Sequence, residues 1–173
     1  MKLVDILQGK WLGHPLHPAL VHLPIGLWTA AAVLDVAAWF APAADVLARL
    51  GFAAVALGLL TAVLAVPTGV ADWAPVKKEK PAWKLGLYHM LLNLLAMIVW
   101  AANAGLRLGT LEPGAAVTLP ILLTSLTGAL LVFASGYLGC RMVFEHGVSI
   151  ARQSKKKWRA EAERGGSRLP DAG

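Results

Sequence analysis

The chain has 173 residues, 57% of them hydrophobic and 15% charged, and its mean hydropathy of +0.62 excludes an ordinary soluble domain. Sixteen Lys and Arg against 10 Asp and Glu give a net charge of +6, so the placement of those charges decides between nucleic-acid binding and membrane topology. A lone Cys140 and the lack of any CxxCH run exclude an intramolecular disulfide framework and covalent haem attachment.

Residues 1–18 read as a cytoplasmic N-terminal segment that ends in a proline-fixed HPxHP loop, Gly13-His14-Pro15-Leu16-His17-Pro18. Lys2 stands where N-myristoylation needs glycine. Residues 19–150 read as a transmembrane domain with spans at roughly 19–40, 50–71, 86–106 and 115–140, each long enough as a helix to cross ~30 Å of hydrocarbon. They are rich in Leu, Ala, Val and Gly and lack period-2 alternation, so an all-α, antiparallel four-helix bundle is expected. The first apolar run is too long for a cleaved signal peptide.

Polar and small residues at helical spacing mark the faces expected to turn inward. In span one, His22, Gly26 and Thr29 share a face, with Pro24 just inside the first turns. Asp35 falls on a nearly opposite face, where pairing with Arg49 or Arg107 near the outer boundary is expected. Span two carries a seam of Gly51, Ala54, Gly58, Thr61, Ala65, Thr68 and Asp72. Span three places His89, Asn93, Ala96, Trp100 and Asn103 on one face, and span four does the same with Thr124, Gly128, Leu131, Ser135, Gly139, Met142 and His146. Residues 151–173 form a basic tail, in which the stretch from Arg152 to Arg168 is expected to form a short helix with Trp158 at the headgroups.

Fourteen of the 16 basic residues lie before span one, between spans two and three, or after span four; Arg49 and Arg107 are the exceptions. By the positive-inside rule both termini are cytoplasmic, and no nucleic-acid partner is needed to explain the charge. That topology collects His14, His17, His22, Asp72, His89, Glu145 and His146 at the cytoplasmic end. Histidines from different helices are how a b-type haem is held without covalent attachment, and neutral imidazole also ligates other transition metals. The expected ligands are His22 and His89 from diagonal spans, with His146 as a further ligand and His14, His17 and Glu145 as alternates. Asp72 and Asn93 would orient imidazoles from behind. No tight metal motif and no nucleophile with a base and orienter is present.

The run Gly13-His14-Pro15-Leu16-His17-Pro18-Ala19-Leu20-Val21-His22-Leu23-Pro24-Ile25-Gly26 resembles the opening signature of the bacterial domain-of-unknown-function family 2231, predicted inner-membrane proteins. The resemblance continues through Gly69 to Trp73, His89 to Asn93, Arg107, and Gly139 to Val148, covering roughly residues 13–150. In the last segment Cys140, Arg141 and Phe144 replace a Gly, a Glu and a Tyr of the family pattern, while His146-Gly147 remains. The resemblance implies no established activity; fusions of some members to Rieske or cytochrome c-like domains imply a membrane redox setting. The expectation is a haem b or metal-binding redox component exchanging electrons with a quinone or a redox partner protein. The alternative is a cofactor-free anchor or small-molecule-binding subunit, single or homo-oligomeric, whose histidines are structural.

Overall fold

The computed structural model describes residues 1–41, 45–112, 114, 116–148 and 164–165. Every regular element among them is helical: a short α1 (Leu3–Leu7), a 3-10 turn (Lys10–Leu12), α2 (Leu16–Phe40), α3 (Asp45–Trp73), α4 (Pro81–Leu106), a second 3-10 turn (Arg107–Leu111) and α5 (Leu119–Phe144). Four of these helices are long and apolar enough to cross a membrane. The basic tail, with the helix expected around Trp158, lies outside the described residues except for 164–165.

The helices are inside-out by the standards of a soluble bundle. Their buried faces are mostly Ala, Gly, Ser and Thr, whereas Leu60, Leu64, Ile98, Leu130 and Phe133 are exposed. Lipid tails are as apolar as leucine, so large aliphatics gain little by turning inward, and close approach of small-residue faces supplies the dispersion that holds the helices. α2 packs along α3 and α4 along α5, and the two hairpins close on each other through α2–α5 and α3–α4 contacts. His17 meets Ala65 and Thr68 while Ala38 clusters with Ala48, so α3 runs back along α2. His89 meets Ser135 while Asn103 meets Ile121, so α5 runs back along α4.

α2, α3 and α4 start before the apolar stretches expected for them and α3 and α5 end after theirs, whereas α5 starts at Leu119, inside the stretch expected from 115; caps, not hydropathy, set such ends. Pro81 takes the first position of α4, where its missing N–H costs nothing. Gly147, with φ 64°, closes α5: its N–H donates to Val143 O at 3.0 Å and Val148 N–H donates to Met142 O at 3.0 Å. At the other end, α2 already begins at Leu16, so Pro24 is a buried interior residue and not a first-turn one. A freed backbone carbonyl is tolerated there because neighbouring helices can rearrange to satisfy it. α1 is tethered by Gln8 Nε2, which donates to Ala71 O at 2.8 Å.

Three pairs of large side chains reach across the axis from α2 to α4: His17 to His89, Trp28 to Trp100, and Asp35 to Arg107. Each pair is separated by the same 72 positions. Their supports on the other diagonal also correspond: Gly69 backs His17 as Gly139 backs His89, and Gly58 backs Trp28 as Gly128 backs Trp100. The α2–α3 and α4–α5 hairpins are therefore structural equivalents, related by an approximate two-fold axis along the bundle.

Candidate functional site

The rotation of α2 decides which histidines meet. At about 100° per residue, His17, Trp28 and Asp35 fall within roughly 20° of one another, and His22 lies roughly 140° away from them. The structure buries Trp28 and Asp35 and leaves His22 exposed on the outer surface, together with Gly26. The inward face expected for span one is thus corrected: it is the Asp35 face, and His17, not His22, stands opposite His89. His14 is also exposed. The inward faces of the other three spans are close to those expected, with Ala62 buried in place of Thr61 in α3 and Ser125 and Val132 in place of Thr124 and Leu131 in α5; the Thr61 hydroxyl is turned back to Leu57 O at 2.9 Å.

The His17 and His89 rings are 6.4 Å apart between centroids and nearly perpendicular. His89 Nδ1 lies 2.8 Å from Ser135 O, and His17 Nδ1 lies 3.1 Å from Ala65 O. A carbonyl can only accept, so each Nδ1 carries the proton and each Nε2 keeps its lone pair. Thr68, whose hydroxyl donates to Ala65 O, lies 3.2 Å from His17 Nδ1. On the α4 side, Asn93 Nδ2 is 3.1 Å from His89 Nε2 and is also within reach of Ser135 Oγ at 2.6 Å and His89 O at 2.9 Å. Glycine is required behind the rings: a Cβ on Gly69 would come within 2.7–3.1 Å of three His17 ring atoms, and one on Gly139 would lie 3.2 Å from His89 Cε1.

Asp72 is within electrostatic reach of His17, but it also opens onto a separate cleft. That cleft, of about 590 Å³, lies between the end of α3, the start of α4 and the end of α5, and contains Glu145 and His146. His146 therefore faces the cleft beside Glu145, whose carboxylate takes two contacts from Arg141 Nε at 2.8 and 3.0 Å and one from Arg141 Nη2 at 2.9 Å. Among the described residues, no three His, Cys, Asp or Glu side chains converge as a metal cage. The pairing of His17 with His89 does not follow from the stepping of either helix taken alone. The signal that finds it is the 72-residue offset shared by His, Trp and the Asp/Arg pair.

At the opposite end of the bundle a second polar group is completely buried. Arg107 Nη2 donates to Asp35 Oδ2, Arg107 Nε donates to Asn103 Oδ1 at 2.6 Å, and Ser125 Oγ donates to the same Asp35 oxygen. Of the two partners expected for Asp35, Arg107 is the one it takes; Arg49 pairs instead with Asp45 at 2.9 Å, one turn away on α3.

A family model described as a predicted membrane protein, DUF2231, matches residues 13–152, and the chain belongs to that family. No curated protein and no solved structure matches it.

Proposed function

We propose that this DUF2231 member is an inner-membrane redox component, with both termini cytoplasmic, in which His17 and His89 would hold a b-type haem. The observation that carries the reading is the 6.4 Å separation of the two ring centroids across the bundle axis. Two imidazoles that share one metal, with bonds of about 2.0–2.1 Å and about 1.2 Å more to each ring centre, have centroids no more than roughly 6.5 Å apart. Two protein ligands suit a haem iron, whose other four come from the macrocycle; a structural zinc site draws four from protein. Hydrogen bonds from both Nδ1 atoms to backbone carbonyls are the usual support for an imidazole that ligates through Nε2. Asn93 competes for that lone pair on His89, and it retains Ser135 Oγ and the His89 carbonyl as partners when it gives way. Held by His17 and His89, such a group would supply one-electron transfer, which makes a quinone or a redox protein the natural partner class.

Protein purified in detergent from haem-replete cells should show a Soret band that shifts on dithionite reduction. His17→Ala and His89→Ala should each abolish it, whereas His14→Ala and His22→Ala should keep it. Absence of any band in the wild type sinks the haem reading, and a band lost in His22→Ala but kept in His17→Ala sinks the ligand assignment. Metal analysis on the same samples separates haem from a bare transition-metal ion. The competing reading is favoured by the Asn93 contact to His89 Nε2: a cofactor-free bundle whose rings only tie helices together, for which protein free of haem and metal is the expected result.

A further inference from the structure

We propose that the cleft at the α3–α4 connection is a binding site for the phosphate headgroup of an anionic phospholipid, an assignment independent of the haem reading. Its volume of about 590 Å³ is that of a small-molecule site. The charges that line it are not equally available. Glu145 is engaged by Arg141, whose guanidinium holds that carboxyl below the usual carboxylate range, and Asp72 is engaged as well. Lys77 and Lys80 also line the cleft, and neither forms an ion pair among the described residues. The lining thus carries two ammonium groups and two carboxylates, and the ammonium groups of Lys77 and Lys80 are the ones left to meet an anion.

Two features of the fold favour an anion beside these lysines. α4 begins at the cleft wall with Pro81 and Ala82, and its N-cap, Lys80, makes no side-chain hydrogen bond to the helix, so the positive end of a 26-residue helix points at the site uncapped. By contrast, the carbonyls at the end of α5 are closed by the Gly147 turn and add little competing negative potential. A lipid source is favoured over a free anion by the surroundings. Pro75, Val76 and Val148 give the cleft an apolar wall, and the neighbouring Trp73 and Trp83 indoles, 5.2 Å apart between centroids, form a pair of the kind that sits at headgroup level.

The test is the thermal midpoint of the full chain in detergent with phosphatidylglycerol, phosphatidylcholine or inorganic phosphate added. Phosphatidylglycerol should raise the wild-type midpoint above that in phosphatidylcholine. Lys77→Gln/Lys80→Gln should at least halve this difference while leaving the phosphatidylcholine midpoint unchanged, and Lys78→Gln/Lys84→Gln, one on the same connection and one in the first turn of α4 but both outside the lining, should retain it. An undiminished difference in Lys77→Gln/Lys80→Gln overturns the site. An equal loss in Lys78→Gln/Lys84→Gln overturns it in favour of diffuse attraction, and an equal rise with inorganic phosphate overturns the lipid assignment in favour of a free anion.

Discussion

Asp35→Ala is expected to destabilise the bundle by about 3–5 kcal/mol, the cost of leaving a buried guanidinium without its carboxylate. Arg107 is fully buried, and so are Asp35, Asn103 and Ser125 around it. No water at this depth replaces the lost acceptor, and a guanidinium cannot shed its proton to escape the penalty. Arg107→Met should cost less, because the carboxyl left behind keeps its hydrogen bond from Ser125. The double variant Asp35→Leu/Arg107→Met should recover most of the single-mutant loss, since exchanging a whole buried pair for apolar groups removes the desolvation penalty with the attraction. Recovery will be incomplete, because Asn103 Oδ1 loses the Arg107 Nε bond. Reversible unfolding in one detergent, read as a double-mutant cycle, measures each term; an Asp35→Ala variant as stable as the wild type would falsify the clasp.

The clasp shows why a charged pair is tolerated inside an otherwise apolar fold. It joins α2 to the α4 end and to α5, so it links the two equivalent hairpins at the end of the bundle away from the histidines. Gly51 makes the link possible: a Cβ there would sit 2.8 Å from Arg107 Nη1 and 3.2 Å from Asp35 Oδ1. The pair breaks the near-symmetry of the hairpins, with an acid on one and a base on the other. An exact repeat would have placed two like charges face to face.

Hydropathy made the four spans legible, and helical stepping made the inward faces of α3, α4 and α5 legible, because each of those faces carries several polar or small residues whose positions agree. α2 was different. Its buried face is marked by Trp28 and alanines, which look apolar from every direction, while its most polar stretch, around His22, lies outside. Asp35 already stood opposite His22 in the helical projection, and a buried carboxylate is a better marker of the inside than an imidazole that can reach an interface. The contact between Asp35 and Arg107 was legible as one of two choices from depth alone. What joined His17 to His89 was not local at all: only comparison of the first hairpin with the second exposes it. Whether those rings hold a haem depends on affinity, which residue type and spacing do not encode.

Trp100→Ala is expected to be the most damaging apolar substitution, at about 3 kcal/mol. That is the low end of the range for removing a buried aromatic from a soluble core, because the transfer contribution largely vanishes when the unfolded reference also sits in lipid. What remains is dispersion and the cavity. Trp28 and Trp100 stack at 5.6 Å with planes only 10° apart, both indoles are buried, and Ala31, Ala96 and Val132 cluster around them. Small helix faces cannot collapse into the space that an indole leaves. Filling from the other side should fail too: a Cβ on Gly128 would lie 2.6 Å from Trp100 Cε2 and 2.7 Å from its Nε1, so Gly128→Leu must drive α5 off α4. Trp100→Phe separates the ring from its N–H. Trp28 Nε1 donates to Val55 O at 3.4 Å, whereas Trp100 Nε1 is buried without a partner among the described residues, so phenylalanine removes volume but also removes an unsatisfied donor. Unfolding midpoints should therefore rank wild type and Trp100→Phe close together, with Trp100→Ala and Gly128→Leu far below. A Phe variant as damaged as the Ala variant would mean that the indole N–H contributes an interaction of its own.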